Sequence, residues 1–204
     1  MRYYKLAADQ GHADAQYNFA VSYRDGTGVD VDHEKSVIYY KLAADQGHAS
    51  ALCSLGYCYG LGRGVAKDYA EALKYYELSA AQGNAFALNN LGDAYETGKG
   101  VNEDHVEAVR YYKLAADKGV PVAQYSLGLC FSNGKGVNID LAEATRYFKL
   151  AADQGYDGAR HDLLEQDPTN KKQEDTVKLS TSTQSLSASA KQLGKSIMGI
   201  FKKK

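Results

Sequence analysis

The chain has little of what most functional classes require. Its formal net charge is −1, from 24 basic and 25 acidic side chains, so no whole-chain field draws it to nucleic acid or membrane. It has three cysteines, Cys53, Cys58 and Cys130. Cys53 and Cys58 lie five apart on one predicted helix, a poor geometry for a bridge, and an odd count leaves one thiol over. Reduced, helix-packed thiols in a cytoplasmic, reducing compartment are expected. No signal-peptide pattern follows Met1, and no stretch approaches the roughly 18 apolar residues of a spanning helix. The full GxxxxGK[ST] phosphate loop, HExxH and GxSxG are all absent from the sequence. The histidines do not gather: His12 and His48 share one repeat position, His33 and His105 another, and His161 stands alone. Repetition spreads them along the chain, so neither a metal cluster, a nucleophile–base pair nor a cofactor site is expected.

What the chain does have is a nonapeptide. YYKLAADQG runs from Tyr39 to Gly47, with variants from Tyr3, Tyr75, Tyr111 and Tyr147, each 36 residues after the last. A fixed period in this range marks a solenoid, whose units bury their apolar faces against their neighbours. Twelve of the 17 tyrosines and 16 of the 20 glycines fall at repeat positions, so those residues need no functional explanation.

The period divides the chain into a half repeat 1–11, full repeats 12–47, 48–83, 84–119 and 120–155, and a partial repeat 156–165. The half repeat reads as the back of a helix whose front is missing, the mark of a truncated product or an incomplete gene model. Each full unit predicts two helices. The first (12–24, 48–60, 84–96, 120–132) repeats an Ala, Leu-Gly, Tyr pattern, as in Ala51, Leu55, Gly56 and Tyr59, on one side of a helix. A mid-helix glycine costs about 1 kcal/mol against alanine. Its return as Gly56, Gly92 and Gly128 predicts a helix or an aromatic ring packed on bare backbone. The second helix (about 32–46, 68–82, 104–118, 140–154) opens on Asp68/Glu71, Asp104/Glu107 and Asp140/Glu143, the spacing of a capping box. In the first unit Asp32 is followed by Lys35, which breaks the box. Gly47, Gly83, Gly119 and Gly155 end these helices, where a left-handed residue is wanted. The interhelical turns GTGV, GRGV, GKGV and GKGV pair glycines for a tight bend, with Val29, Val65, Val101 and Val137 as anchors. These GxG loops follow helices and recur four times, which argues against a nucleotide fingerprint.

The motif AxxxLGxxYxxGxGV followed by D…A…YYxLAAxxG resembles the Sel-one-like repeat, a relative of the tetratricopeptide repeat, and the match runs over residues 1–164. The resemblance implies an all-α, right-handed α-solenoid of antiparallel helix pairs with a concave groove. It also implies a non-enzymatic adaptor or scaffold for a peptide or protein partner. Similar proteins hold partners in degradation complexes of the endoplasmic reticulum, regulate fungal chitin synthase, or are cysteine-rich bacterial secreted forms. The paired cysteines of the last group and the prenylation box common in the chitin-synthase regulators are missing here. A hydrolase of β-lactamase type, proposed for bacterial relatives, is the remaining alternative.

By similarity to tetratricopeptide geometry, the first helices line the concave wall. That stripe comprises Asp14, Tyr17, Val21 and Arg24; Ser50, Cys53, Tyr57 and Gly60; Phe86, Asn89, Asp93 and Glu96; and Val122, Tyr125, Leu129 and Ser132. These positions vary within one chain while the packing positions hardly do, which suits recognition. Tyr17, Tyr57, Phe86 and Tyr125 are candidate aromatic anchors, and Asn89 a partner for a peptide backbone. Phe86 is also the member most suited to packing between units.

Residues 1–164 carry a net charge of −5 and residues 165–204 one of +4. Residues 166–185 read as a polar, solvated linker. In 186–204, leucines and Ile200 continue a seven-residue spacing from Leu179, with Lys191, Lys195 and three terminal lysines. As a helix this tail is amphipathic and basic, suited to peripheral membrane contact, a docking helix or a short coiled coil. Its serines, Gly194 and Gly199 weaken helicity, which favours a tail disordered in isolation, with folding on binding as the next reading. Through it the chain could instead recruit an enzyme to a membrane as a regulatory subunit.

Overall fold

The computed structural model describes the backbone of residues 2–166 and the side chains of residues 6–163. The readings made for the tail and for all but the first residue of the linker lie outside these residues. Ten helices and no strand occur among the described residues. They are α1 (Arg2–Asp9), α2 (Ala13–Asp25), α3 (His33–Ala44), α4 (Ala49–Leu61), α5 (Tyr69–Ala81), α6 (Ala85–Thr97), α7 (His105–Asp117), α8 (Pro121–Asn133), α9 (Leu141–Asp153) and α10 (Asp157–Gln166). Residues 1–156 form one unit, and α10 belongs to a second that begins at Asp157.

In the first unit each helix packs chiefly on the helices before and after it, so the chain is an α-solenoid of helix hairpins. The repeat punctuation accounts for the hairpins. Each first helix ends on a left-handed glycine, Gly26, Gly62, Gly98 or Gly134, with φ between 65° and 72°. Five residues of turn follow before Asp32, Asp68, Asp104 or Asp140 caps the next helix, its carboxylate accepting the N–H of Lys35, Glu71, Glu107 or Glu143. One such cap contributes about 1 kcal/mol.

The expected capping box is only half built. Its return bond would run from the N-cap N–H to the glutamate. That N–H instead donates to Tyr23, Tyr59, Tyr95 or Phe131 O of the preceding helix, closing the turn. Glu71, Glu107 and Glu143 turn outward to pair with Lys74, Arg110 and Arg146. Asp32 caps α3 without any glutamate, and the Lys35 ammonium lies 2.7 Å from its second oxygen.

The mid-helix glycines meet aromatic rings. A Cβ added to Gly56 would lie 2.7 Å from the Tyr76 ring, to Gly92 2.5 Å from Tyr112, and to Gly128 2.6 Å from Phe148. Tyr112 and Phe148 are fully buried, and burying such a ring contributes on the order of 2 kcal/mol. A second row of rings stacks within each hairpin: Tyr23 on Tyr39, Tyr59 on Tyr75, Tyr95 on Tyr111 and Phe131 on Tyr147. The buried Gln16 and Gln124 stay satisfied by donating to Ala8 O and Ala116 O, and their side-chain oxygens accept from Gln46 and Gln154. Cys53, Cys58 and Cys130 are all free thiols.

Candidate functional site

The first helices present a lined surface rather than a flat one. Two cavities lie along α2, α4 and α6. One, of about 430 Å³, is walled by Arg24, Tyr40, Cys53, Ser54, Tyr57 and Arg63, among others. The other, of about 400 Å³, is walled by Tyr57, Leu61, Tyr69, Leu73, Tyr76 and Asp93, with Lys67 and Lys99 also lining it. Tyr57 and Asn90 line both, which joins them into one groove. Tyr57 is 45% exposed, and the Arg63 guanidinium lies 5.8 Å from its ring centroid. Asn90 points its Nδ2 at Cys53 Sγ, 3.7 Å away.

The sequence-predicted stripe divides by depth. Tyr57, Cys53 and Asp93 line the cavities. Tyr17 is half-buried and stacked on His48 at 4.7 Å, Val21 packs into the core between the first two full repeats, and Leu129 is half-buried. His48 itself caps α4, its Nδ1 accepting from Ala51 N and its Nε2 3.2 Å from Asp14. Tyr125 lies between the rings of Phe148 and Tyr156, at 5.6 and 4.9 Å. Asn89 is 5% exposed, a core residue rather than an open one. Phe86, a candidate anchor whose competing reading was packing between units, is 63% exposed, because the first turn of α6 projects it outward, and it lines neither cavity. Ser54, Leu61 and Asn90 line the groove without having been singled out from the sequence. Asn18, Ser54, Asn90 and Ser126 share one repeat position, and four small polar residues beside apolar packing positions were the available signal.

The groove is electrostatically uneven. At one end Arg24 holds Asp25 through two bonds of 2.7 Å, which keeps the Asp25 carboxylate below its usual range. At the other end Tyr112 Oη lies 2.7 Å from both Asp93 Oδ1 and Glu96 Oε2. Desolvation pushes the Asp93 pKa up although the residue reaches solvent, the Tyr112 bond opposes it, and the Glu96 charge adds to the rise. Burial pushes the Cys53 thiol up to about 11. Among the described residues no three metal-binding side chains cluster, and no helix is long and apolar enough to cross a membrane.

Comparison with known proteins agrees with this architecture. The Sel1 repeat profile matches residues 1–12, 13–48, 49–84, 85–120 and 121–156. No curated protein matches. A Sel1 repeat protein from Oxalobacter formigenes is 37% identical with a TM-score of 0.77, over 79% of this chain and 64% of its own. A protective antigen of uropathogenic Escherichia coli with an SLR fold is 37% identical with a TM-score of 0.72, over 79% of this chain and 34% of its own. An immunity protein from Pseudomonas aeruginosa is 26% identical with a TM-score of 0.54, over 76% of this chain and 56% of its own. This chain thus spans between a third and just under two thirds of these relatives. Sel1 repeat solenoids are typically protein-interaction scaffolds. With the profile repeating in register over residues 1–156 and the helix hairpins it specifies in place, the chain belongs to the Sel1 repeat family.

Proposed function

We infer that this chain is a non-enzymatic adaptor that holds a peptide or extended protein segment along the groove of α2, α4 and α6. The observation that carries the reading is the joined pair of cavities sharing Tyr57 and Asn90. Much of their wall, including Ser54, Tyr57, Leu61, Arg63, Tyr69 and Asn90, comes from positions that differ between repeats, set beside the recurring Tyr40 and Tyr76. Tyr57 offers an open aromatic face, and Ser54 and Asn90 offer donors and acceptors to a peptide backbone. The fixed first and second helices carry the groove, so the ordering cost of binding falls on the ligand.

The test is a library of immobilised, acetylated and amidated peptides probed with the full chain and with Tyr57→Asp. Tyr57 lies outside the buried core, so the variant keeps the helical content and melting behaviour of the parent. Peptides retained by the parent and lost by Tyr57→Asp support the reading. A library bound equally by both proteins, or by neither, refutes it.

A further inference from the structure

The Asp93 end of the groove is short of hydrogen-bond donors. Tyr112 has one hydroxyl proton, yet its oxygen lies 2.7 Å from a carboxylate oxygen of Asp93 and 2.7 Å from one of Glu96. It satisfies one carboxylate, and the other needs a donor from elsewhere. Asn89, 95% buried by its 5% exposure, directs its amide into the same cluster, with Nδ2 3.3 Å from Asp93 Oδ2. Its Oδ1 is buried with no hydrogen-bond partner. Lys135 Nζ is 3.7 Å from Glu96 Oε1, an ion-pair distance too long for a good hydrogen bond, and Lys99 acts on Asp93 through its charge.

This pair of carboxylates departs from the repeat. The positions of Asp93 and Glu96 hold Val21 and Arg24 in the first full repeat, Tyr57 and Gly60 in the second, and Leu129 and Ser132 in the fourth. The contact of Gly92 with the Tyr112 ring recurs as Gly56 with Tyr76 and Gly128 with Phe148, where neither acid is present, so the hairpin does not require the acids. Asp93 faces the 400 Å³ cavity, where Tyr57, Leu61 and Leu73 provide apolar wall beside the charge. An apolar wall leading to an acceptor-rich end matches the stem and head of a long basic side chain.

We propose that Asp93 and Glu96, oriented by Tyr112 and Asn89, form a receptor for the arginine or lysine side chain of a bound protein segment. The proposal rests on the groove being a peptide site and adds which side chain it selects. Lys99 lines the same cavity and competes for Asp93, so its removal strengthens the site.

The direct test is NMR of the full chain, following the Asp93 and Glu96 carboxyl carbons during titration with N-acetyl-arginine amide. N-acetyl-citrulline amide, of the same shape without the charge, is the control. Saturable shifts with the arginine derivative alone, lost at Glu96 in Asp93→Asn and reached at lower concentration in Lys99→Ala, are expected. Equal shifts with citrulline, no saturable shift, or a titration unchanged in both variants overturns the proposal. Lys99→Ala removes an exposed side chain, so the comparison stands even if Asp93→Asn fails to fold. The peptide library separates the two readings. Retained peptides without enrichment of Arg or Lys sink this inference and leave the groove, whereas arginine binding with no retained peptide sinks the groove and leaves the cation site.

Discussion

Replacing Gly92 by alanine tests the packing that builds the groove's floor. An alanine Cβ there would lie 2.5 Å from both Cδ1 and Cε1 of Tyr112. Carbon contacts settle near 3.5–4.0 Å, so the ring or α6 must retreat by about 1 Å. The ring is poorly able to do so, being fully buried with its hydroxyl held between Asp93 and Glu96. Overpacking of this kind costs about 1–3 kcal/mol, against a helix-propensity gain of about 1 kcal/mol. The first full repeat shows the accommodated arrangement. Ala20 occupies the equivalent position, and the facing Tyr40 hydroxyl accepts a 3.4 Å contact from Arg24 instead of being fixed between two carboxylates. In the third repeat the clamp opposes that adjustment, so a net loss of about 1–2 kcal/mol is expected. Gly60 is the control, since its Cβ would meet Tyr76 Oη at 3.7 Å and Ala72 Cβ at 3.8 Å, ordinary contacts. Gly60→Ala is therefore neutral or stabilising by up to about 1 kcal/mol. In thermal unfolding at matched pH, Gly92→Ala lowers Tm by about 2–8 °C while Gly60→Ala does not. A Gly92→Ala protein as stable as the parent refutes the close-packing argument.

Four further outcomes follow from the same structure. Gly136→Ala joins a positive φ to a collision between its Cβ and the His105 carbonyl, so it destabilises more than Gly92→Ala in the same melt. Asp104→Ala removes the acceptor of the Val106 and Glu107 N–H groups at the start of α7 and costs about 1 kcal/mol in denaturant unfolding. Cys53 alkylates slowly although half-exposed: with its pKa moved from 9.0 to about 11, its thiolate fraction at pH 8 falls about a hundredfold, measured as iodoacetamide uptake by mass spectrometry. Because the native Asp93 pKa is raised above the unfolded value of 3.8, its contribution is fully present below that value and is lost as pH rises through the native pKa. Asp93→Asn flattens this part of the stability profile, and an unchanged profile contradicts the desolvation assigned to Asp93.

The repeat is legible in sequence because each unit solves one packing problem with the same residues. Gly56, Gly92 and Gly128 announced a ring, and the structure places Tyr76, Tyr112 and Phe148 there. The capping box misled because Asp–x–x–Glu spacing is local, whereas the competing acceptor, Tyr59 O or its equivalent, lies across a turn. The groove was read less well. The predicted stripe holds Cys53, Tyr57 and Asp93, which line the cavities, but also the buried Asn89, and it omits Ser54 and Asn90, the next residue along each helix, which line them too. One residue is about 100° of helical rotation, enough to move a side chain from core to groove. The shared hydroxyl of Tyr112 had no signal, since its tyrosine belongs to a repeat position that elsewhere makes other contacts.

The most direct test of the adaptor account is backbone amide NMR of the full chain titrated with a peptide selected from the library. Shifts concentrated at Ser54, Tyr57, Asn90 and Asp93 are predicted. The second helices expose a competing row of leucines, Leu42, Leu78, Leu114 and Leu150. Shifts concentrated on those leucines, with the Tyr57 region unmoved, would contradict the claim that the groove is the binding surface.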